Sequence, residues 1–115
     1  MKKGILLYVC FFMLFAHANA QLAKPNPKFY FRQLDNRNGL SNSSINTILQ
    51  DKDQLLWIGT WDGLNRYDGA EFNVYNHNID QKENSIGSNV IQTINEDNDG
   101  NIWIGTPGEG LLRFD

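Results

Sequence analysis

Tryptophan, aspartate and arginine are the residue types of this sequence whose spacing could do chemistry. An indole face suits the apolar side of a pyranose, so Trp57, Trp61 and Trp103 are each candidates to stack on a sugar ring. Trp57 and Trp103 stand at identical places in two copies of one unit. That equivalence assigns them to packing, where an indole covers a large apolar area and its N–H finds a carbonyl. Trp61 occupies a loop where the second copy has Pro107-Gly108. Variable loops on a rigid scaffold carry binding specificity, so Trp61 is the expected ligand-binding residue.

Asp97, Asp99 and Asn101 in "DNDGN" alternate oxygen ligands as a calcium loop would. A loop of the EF-hand kind needs Gly at its position 6 and Glu at position 12, whereas here Gly100 is fourth and the twelfth position is Gly108. A tight turn is the reading, and no metal site is expected. His77 stands alone in a polar loop, without a carboxylate pattern or a nucleophile near it in sequence. No acid–base or nucleophilic constellation follows, so neither a catalytic residue nor a cofactor is expected. Arg66 and Arg113 recur with Tyr67 and Phe114. Each arginine is expected to lie along its own sheet and pair with a turn carboxylate, Asp62 or Asp68 being the candidates.

The elements that must hold these residues come from a repeat. Sliding the sequence by 46 residues pairs Ile45 with Ile91, Ile48 with Ile94, Asp51 with Asp97, and Trp57-Ile58-Gly59-Thr60 with Trp103-Ile104-Gly105-Thr106. One residue inserted in the second copy then moves the offset to 47, pairing Gly63-Leu64 with Gly110-Leu111 and Arg66 with Arg113. A period in the forties is that of a propeller blade, in which four short strands and their turns use about that length. "SINTILQ", "LLWIGT", "GLNRYD" and "EFNVYN" read as those strands, separated by Asp- and Gly-rich turns. Ile45, Ile48 and Leu49 also fit a helical spacing, but short β-branched segments ending at Asp-rich turns favour strand.

"LLWIG" is continuously apolar, as a strand covered on both faces should be. "EFNVYN" alternates, with Phe72 and Val74 on one side and Asn73 and Tyr75 on the other, which suits a half-exposed outer strand. Residues 29–34 read as a further outer strand that precedes the first whole blade. The expected fold is therefore all-β: a partial β-propeller of one lone amino-terminal outer strand, one complete four-stranded blade and three strands of the next. Such a chain cannot close a ring of at least about four blades. It is expected to be an amino-terminal piece of a longer ring.

Before residue 21 the sequence has a different character. Lys2 and Lys3 form a basic start, Ile5 to Ala16 an apolar run, and Ala18-Asn19-Ala20 a small-residue cleavage signal, so residues 1–20 read as a signal peptide. The apolar run is shorter than the roughly 18 to 20 residues that span a bilayer, and no basic stop-transfer cluster follows. Cys10 is the sole cysteine and lacks the small residue a lipoprotein signal wants before it, so no lipid anchor is expected. Its removal leaves no thiol for a disulfide, a metal or a nucleophile. Taking Lys2 and Lys3 from the 10 basic residues leaves 8 against 13 acidic, a formal charge of −5. That balance argues against nucleic acid and anionic membrane surfaces as direct partners. The layout is then a signal peptide at 1–20, an extended leader at 21–28 and a propeller portion at 29–115, with repeats at about 40–79 and 86–115.

"INTILQDKDQLLWIGTWDGLNRYDG" and "IQTINEDNDGNIWIGTPGEGLLRFD" resemble the two-component regulator propeller repeat. The shared pattern is an apolar inner strand, an Asp-containing turn, Trp-Ile-Gly-Thr, a Gly-Leu pair and a basic-aromatic-Asp ending. "FRQLDNRNGLSNSSI" is likewise similar to the way such sensors begin. The resemblance implies the periplasmic, ligand-sensing half of a hybrid two-component system, often responsive to oligosaccharides. It also implies a transmembrane helix, histidine kinase, receiver and DNA-binding parts, none of them within these residues, and a homodimer partner in the intact family. The expected function is sensing without enzyme activity, with an oligosaccharide ligand and the rest of the sensor as partners. Two alternatives stay open: a piece of a secreted propeller lyase or hydrolase, for which neither repeat supplies a carboxylate–His pair, and a truncated, non-functional copy.

Overall fold

The computed structural model describes residues 2–16, 25–80 and 85–115, and the chain divides into two units, Met1–Phe31 and Arg32–Asp115. In the first unit the apolar run forms a helix, α1 (Lys2–Ala16). Among the described residues no helix is long and apolar enough to cross a membrane. The cleavage motif expected at Ala18-Asn19-Ala20 and the first half of the leader lie outside the described residues.

The second unit holds two antiparallel sheets. The first contains β1 (Ile45–Gln50), β2 (Leu56–Thr60), β3 (Gly63–Tyr67) and β4 (Phe72–Tyr75), hydrogen-bonded in chain order. The second contains β5 (Thr93–Glu96), β6 (Ile102–Thr106) and β7 (Gly110–Phe114), also in chain order. Ile45, Ile48 and Leu49 therefore lie on a strand, with β-branched residues matched across the β1–β2 ladder, Ile48 opposite Ile58.

Residues 29–34 are not a strand, which corrects the sequence reading. A strand exists through its ladder, and neither sheet of the described residues pairs with this segment. Phe29, Tyr30 and Phe31 are accordingly exposed. Arg32–Asp115 instead begins with an Asp35-capped 3-10 turn at Asn36–Asn38, closed by Gly39 at φ 103. Asp35 accepts from the Arg37 backbone and guanidinium, which together hold its carboxyl below the usual carboxylate range.

Turn chemistry sets both sheets. After β1, Asp51 and Leu55 bracket a tight turn through Gln54 N–H to Asp51 O and Asp51 N–H to Leu55 O, each 3.0 Å. The Asp97–Asn101 turn repeats those two bonds at the same lengths. Gly100 takes the left-handed conformation there at φ 88, and Gln54 adopts it at φ 68 in the first copy. The non-glycine residue costs roughly 1–2 kcal/mol at that position. Hairpins β2–β3 and β6–β7 differ in loop length by one residue, yet Thr60 Oγ1 donates to Gly63 O at 2.9 Å and Thr106 Oγ1 to Gly110 O at 3.0 Å.

The core lies between the sheets. Trp57 and Leu64 from the first face Ile94, Ile102 and Ile104 of the second and Ile91 in the segment just before it, all buried. A Cβ on Gly59 would come within 2.5 Å of Ile91 Cγ2 and 2.7 Å of Thr47 Cγ2, so this position must be bare for the sheets to approach. On the outer strand Tyr75 is half-buried and packs edge-on against Phe114 at 5.3 Å, so the Asn73–Tyr75 side is the one that meets the second sheet. The neighbouring sheet reaches far enough outward to cover it.

Candidate ligand-binding site

Each copy of the repeat carries one Asp–Trp–Arg unit. Asp51 Oδ1 accepts the backbone N–H groups of Asp53 and Leu55, both at 2.9 Å, and its Oδ2 accepts the Trp57 indole N–H at 2.7 Å. Asp97 does the same with Asp99, Asn101 and Trp103, the indole bond being 2.8 Å. The indole partner is thus a turn carboxylate, where the sequence reading placed a carbonyl. The Trp103 N–H, then the Asn101 side chain and backbone, hold the Asp97 carboxyl well below its ordinary value. Asp97 and Asp99 therefore serve a turn, the role read from "DNDGN".

The arginines stand opposite the indoles across the ladder, Arg66 beside Trp57 and Arg113 beside Trp103. Their guanidinium carbons lie 5.8 Å and 5.9 Å from the ring centroids, within cation–π reach. Arg113 also pairs with Asp115, Nε to Oδ1 at 2.6 Å, in keeping with a nearby carboxylate. Arg66 pairs with neither Asp62 nor Asp68, and this corrects its expected ion pair. Asp68 instead caps its own turn, accepting the Ala70 and Glu71 N–H groups at 2.8 Å, which lower its pKa.

Trp57 is buried, with Phe114 set edge-on at 4.9 Å, so it packs between the sheets as the repeat implies. Trp103 is half-buried, on the face of β6 that looks away from the first sheet.

Trp61 behaves differently. It sits in the two-residue β2–β3 loop, is 60% exposed, and borders a groove of about 510 Å³ with Asn46, Val90, Gln92 and Pro107. These residues meet because β2 returns to the end of the sheet where β1 starts, and β6 does likewise. Pro107, the counterpart loop residue, forms another part of the rim. The loop beneath the indole is anchored by the Trp61 backbone N–H, which donates to Ser44 O at 3.2 Å. Asn46 Nδ2 donates to Ile91 O at 2.9 Å, tying the first sheet to the segment that leads into the second at the base of the groove. What this arrangement offers is an exposed aromatic face beside two carboxamides.

Sequence reasoning missed Asn65, which is fully buried. Its Oδ1 accepts Ser41 N–H at 2.9 Å and its Nδ2 donates to Ser41 Oγ at 2.8 Å, pinning residues 40–44 across the first sheet. A polar residue in β3 where the other copy has Leu112 was the available signal. His77 is exposed, its Nδ1 2.9 Å from Ile86 O, as a solvated loop residue would be.

Residues 39–62 and 85–108 match the model of the two component regulator propeller. The chain is 42% identical over 66 residues, 57% of its length, to Histidine kinase P4 of Formosa agariphila. It superimposes with a TM-score of 0.67 and 34% identity, over 72% of its length, on the extracellular domain of a hybrid two component system from B. thetaiotaomicron. It spans 5% of the kinase and 12% of the crystallised chain. With the doubled Asp–Trp–Arg unit and two packed antiparallel sheets, these matches identify both copies of the unit as two-component regulator propeller repeats.

Proposed function

We propose that this chain is part of the ligand-sensing, extracytoplasmic propeller of a two-component sensor, that its ligand is an oligosaccharide, and that Trp61 contacts that ligand. The kinase that reads occupancy is carried outside these residues, and the chain itself is not an enzyme. In this reading residues 1–20 direct export to the periplasm and are removed, which leaves an acidic chain without nucleic-acid or membrane contact. The description of the structural relative as an extracellular domain supports the location.

One observation carries the ligand assignment: the unrepeated Trp61 is exposed over a groove lined by the carboxamides of Asn46 and Gln92. An indole offers a flat apolar face to a sugar ring, and carboxamides offer a donor and an acceptor to its hydroxyls. The test is a titration of the full-length chain with a panel of oligosaccharides, read by calorimetry and tryptophan fluorescence. One saccharide class should bind and blue-shift the emission, and Trp61→Ala should weaken that binding about tenfold or more at an unchanged melting temperature, a loss of ~1.4 kcal/mol. Equal affinity of Trp61→Ala, or no response to any saccharide, would sink the assignment.

A further inference from the structure

Every backbone N–H of residues 61–63, the loop that carries Trp61, is hydrogen-bonded. Trp61 N–H donates to Ser44 O at 3.2 Å, Asp62 N–H to Thr60 Oγ1 at 3.0 Å and Gly63 N–H to Asn89 O at 2.6 Å. Beneath the loop the hydroxyl protons follow from the partners. Thr60 Oγ1 donates to Gly63 O at 2.9 Å, so across the 3.0 Å contact between the two hydroxyls it is Ser41 Oγ that donates to Thr60 Oγ1. Asn65 Nδ2 donates in turn to Ser41 Oγ at 2.8 Å, while Asn65 Oδ1 accepts the Ser41 N–H at 2.9 Å. The result is one directed relay from Asn65 through Ser41 and Thr60 to Gly63. Thr60 fills both its lone pairs in it, with the Ser41 hydroxyl and the Asp62 N–H. Asn65 and Thr60 are both 0% exposed, so water competes at neither.

The second copy keeps the hairpin and lacks the relay. Thr106 still closes on Gly110 O, but Leu112 stands in the place of Asn65, Gly87 in that of Ser41, and Pro107 has no N–H to anchor its loop. These are differences of sequence, independent of what surrounds either sheet. A hairpin of this kind therefore folds without a buried asparagine, which is costly to desolvate, and the first copy carries one only where the loop bears Trp61.

We propose that Asn65 is a positioning residue for the ligand site: through Ser41 and Thr60 it holds the β2–β3 loop preformed, so that the indole meets its ligand without the loop having to order. This deepens the reading of Trp61 as the ligand contact and rests on it. A loop fixed before binding loses no further freedom when the ligand arrives, and the affinity so gained is expressed only through the indole.

Hydrogen exchange and saccharide titration of the full-length chain test this together, with Asn65→Leu, which installs the residue of the second copy, and the milder Ser41→Ala. In the free protein Asn65→Leu should speed exchange of the Trp61 and Asp62 amides about tenfold, with the amides of β6 unchanged. Saccharide affinity should fall about tenfold in the same protein, and about threefold in Ser41→Ala. In a Trp61→Ala background Asn65→Leu should weaken binding no further, because its effect runs through the indole. A merely structural asparagine would weaken both backgrounds alike, and that additivity overturns the proposal. So do unchanged Trp61 and Asp62 exchange, or full affinity, in a folded Asn65→Leu protein; if that variant does not fold, Ser41→Ala decides by the same measurements. Loss of affinity in Trp61→Ala but not in Asn65→Leu removes the relay alone. Full affinity of Trp61→Ala, or a wild type that binds no saccharide, removes the ligand reading of the site and the positioning role with it.

Discussion

At the scale of single residues, Asp51 and Asp97 join the local turn to the interior. Each carboxylate satisfies two turn N–H groups with one oxygen and the indole N–H with the other, so the tryptophan cannot rotate without breaking the turn. This has a consequence in acid. Asp97 is held below its ordinary value in the folded chain, so its contribution is complete above the unfolded pKa near 4 and disappears as the pH falls below it. Thermal melts between about pH 6 and 2 should show the wild type losing stability on the acid side, and Asp97→Asn losing less over the same range while starting lower at neutral pH. A parallel pH profile for the two proteins would contradict this. The recurring aspartate was visible in the sequence as a turn residue. Its second duty was not, because the reach from carboxylate to indole depends on a backbone path that spacing alone does not specify.

At the scale of elements, β2 and β6 share Trp-Ile-Gly-Thr but not their surroundings. β2 is buried from Trp57 to Thr60, whereas β6 alternates between buried and half-buried residues. One sequence thus meets two environments, and packing decides what each tryptophan contributes. Trp57→Ala should cost about 3–5 kcal/mol in urea unfolding, and Trp103→Ala roughly half of that or less. Equal losses would mean that the indoles act through their turns alone. The seven strands were legible because Asp- and Gly-rich turns punctuate β-branched runs. The segment at 29–34 misled for a physical reason: its aromatic alternation is that of a strand, but a ladder needs a second backbone, which no sequence pattern of one segment contains. The alternation of Phe72 to Tyr75 marked two sides of a strand without saying which of them the neighbouring sheet covers.

For the whole Arg32–Asp115 unit, stability comes from a single seam between two sheets, as in stacked repeats whose units touch only their neighbours. Strands next to that seam and covered on their other side should open last. Native-state hydrogen exchange is therefore expected to rank the amides of β2 and β3 slowest and those of β7 fastest. Uniform protection across both sheets would show that the seam is not the weak plane. The period of the repeat told how many units there are and where they begin. The groove beside Trp61 was half legible: the odd residue of one copy stood out, while Gln92 and Asn46 came to its side only through the return of β1 and β5 to one end. That end has a property of its own. Because Thr60 and Thr106 clasp their hairpins on the closing glycine whatever lies between, a residue can be added at the tip without disturbing the strands beneath. The rim can diversify while the frame stays constant, so close kin of this chain can differ in taste yet share one skeleton.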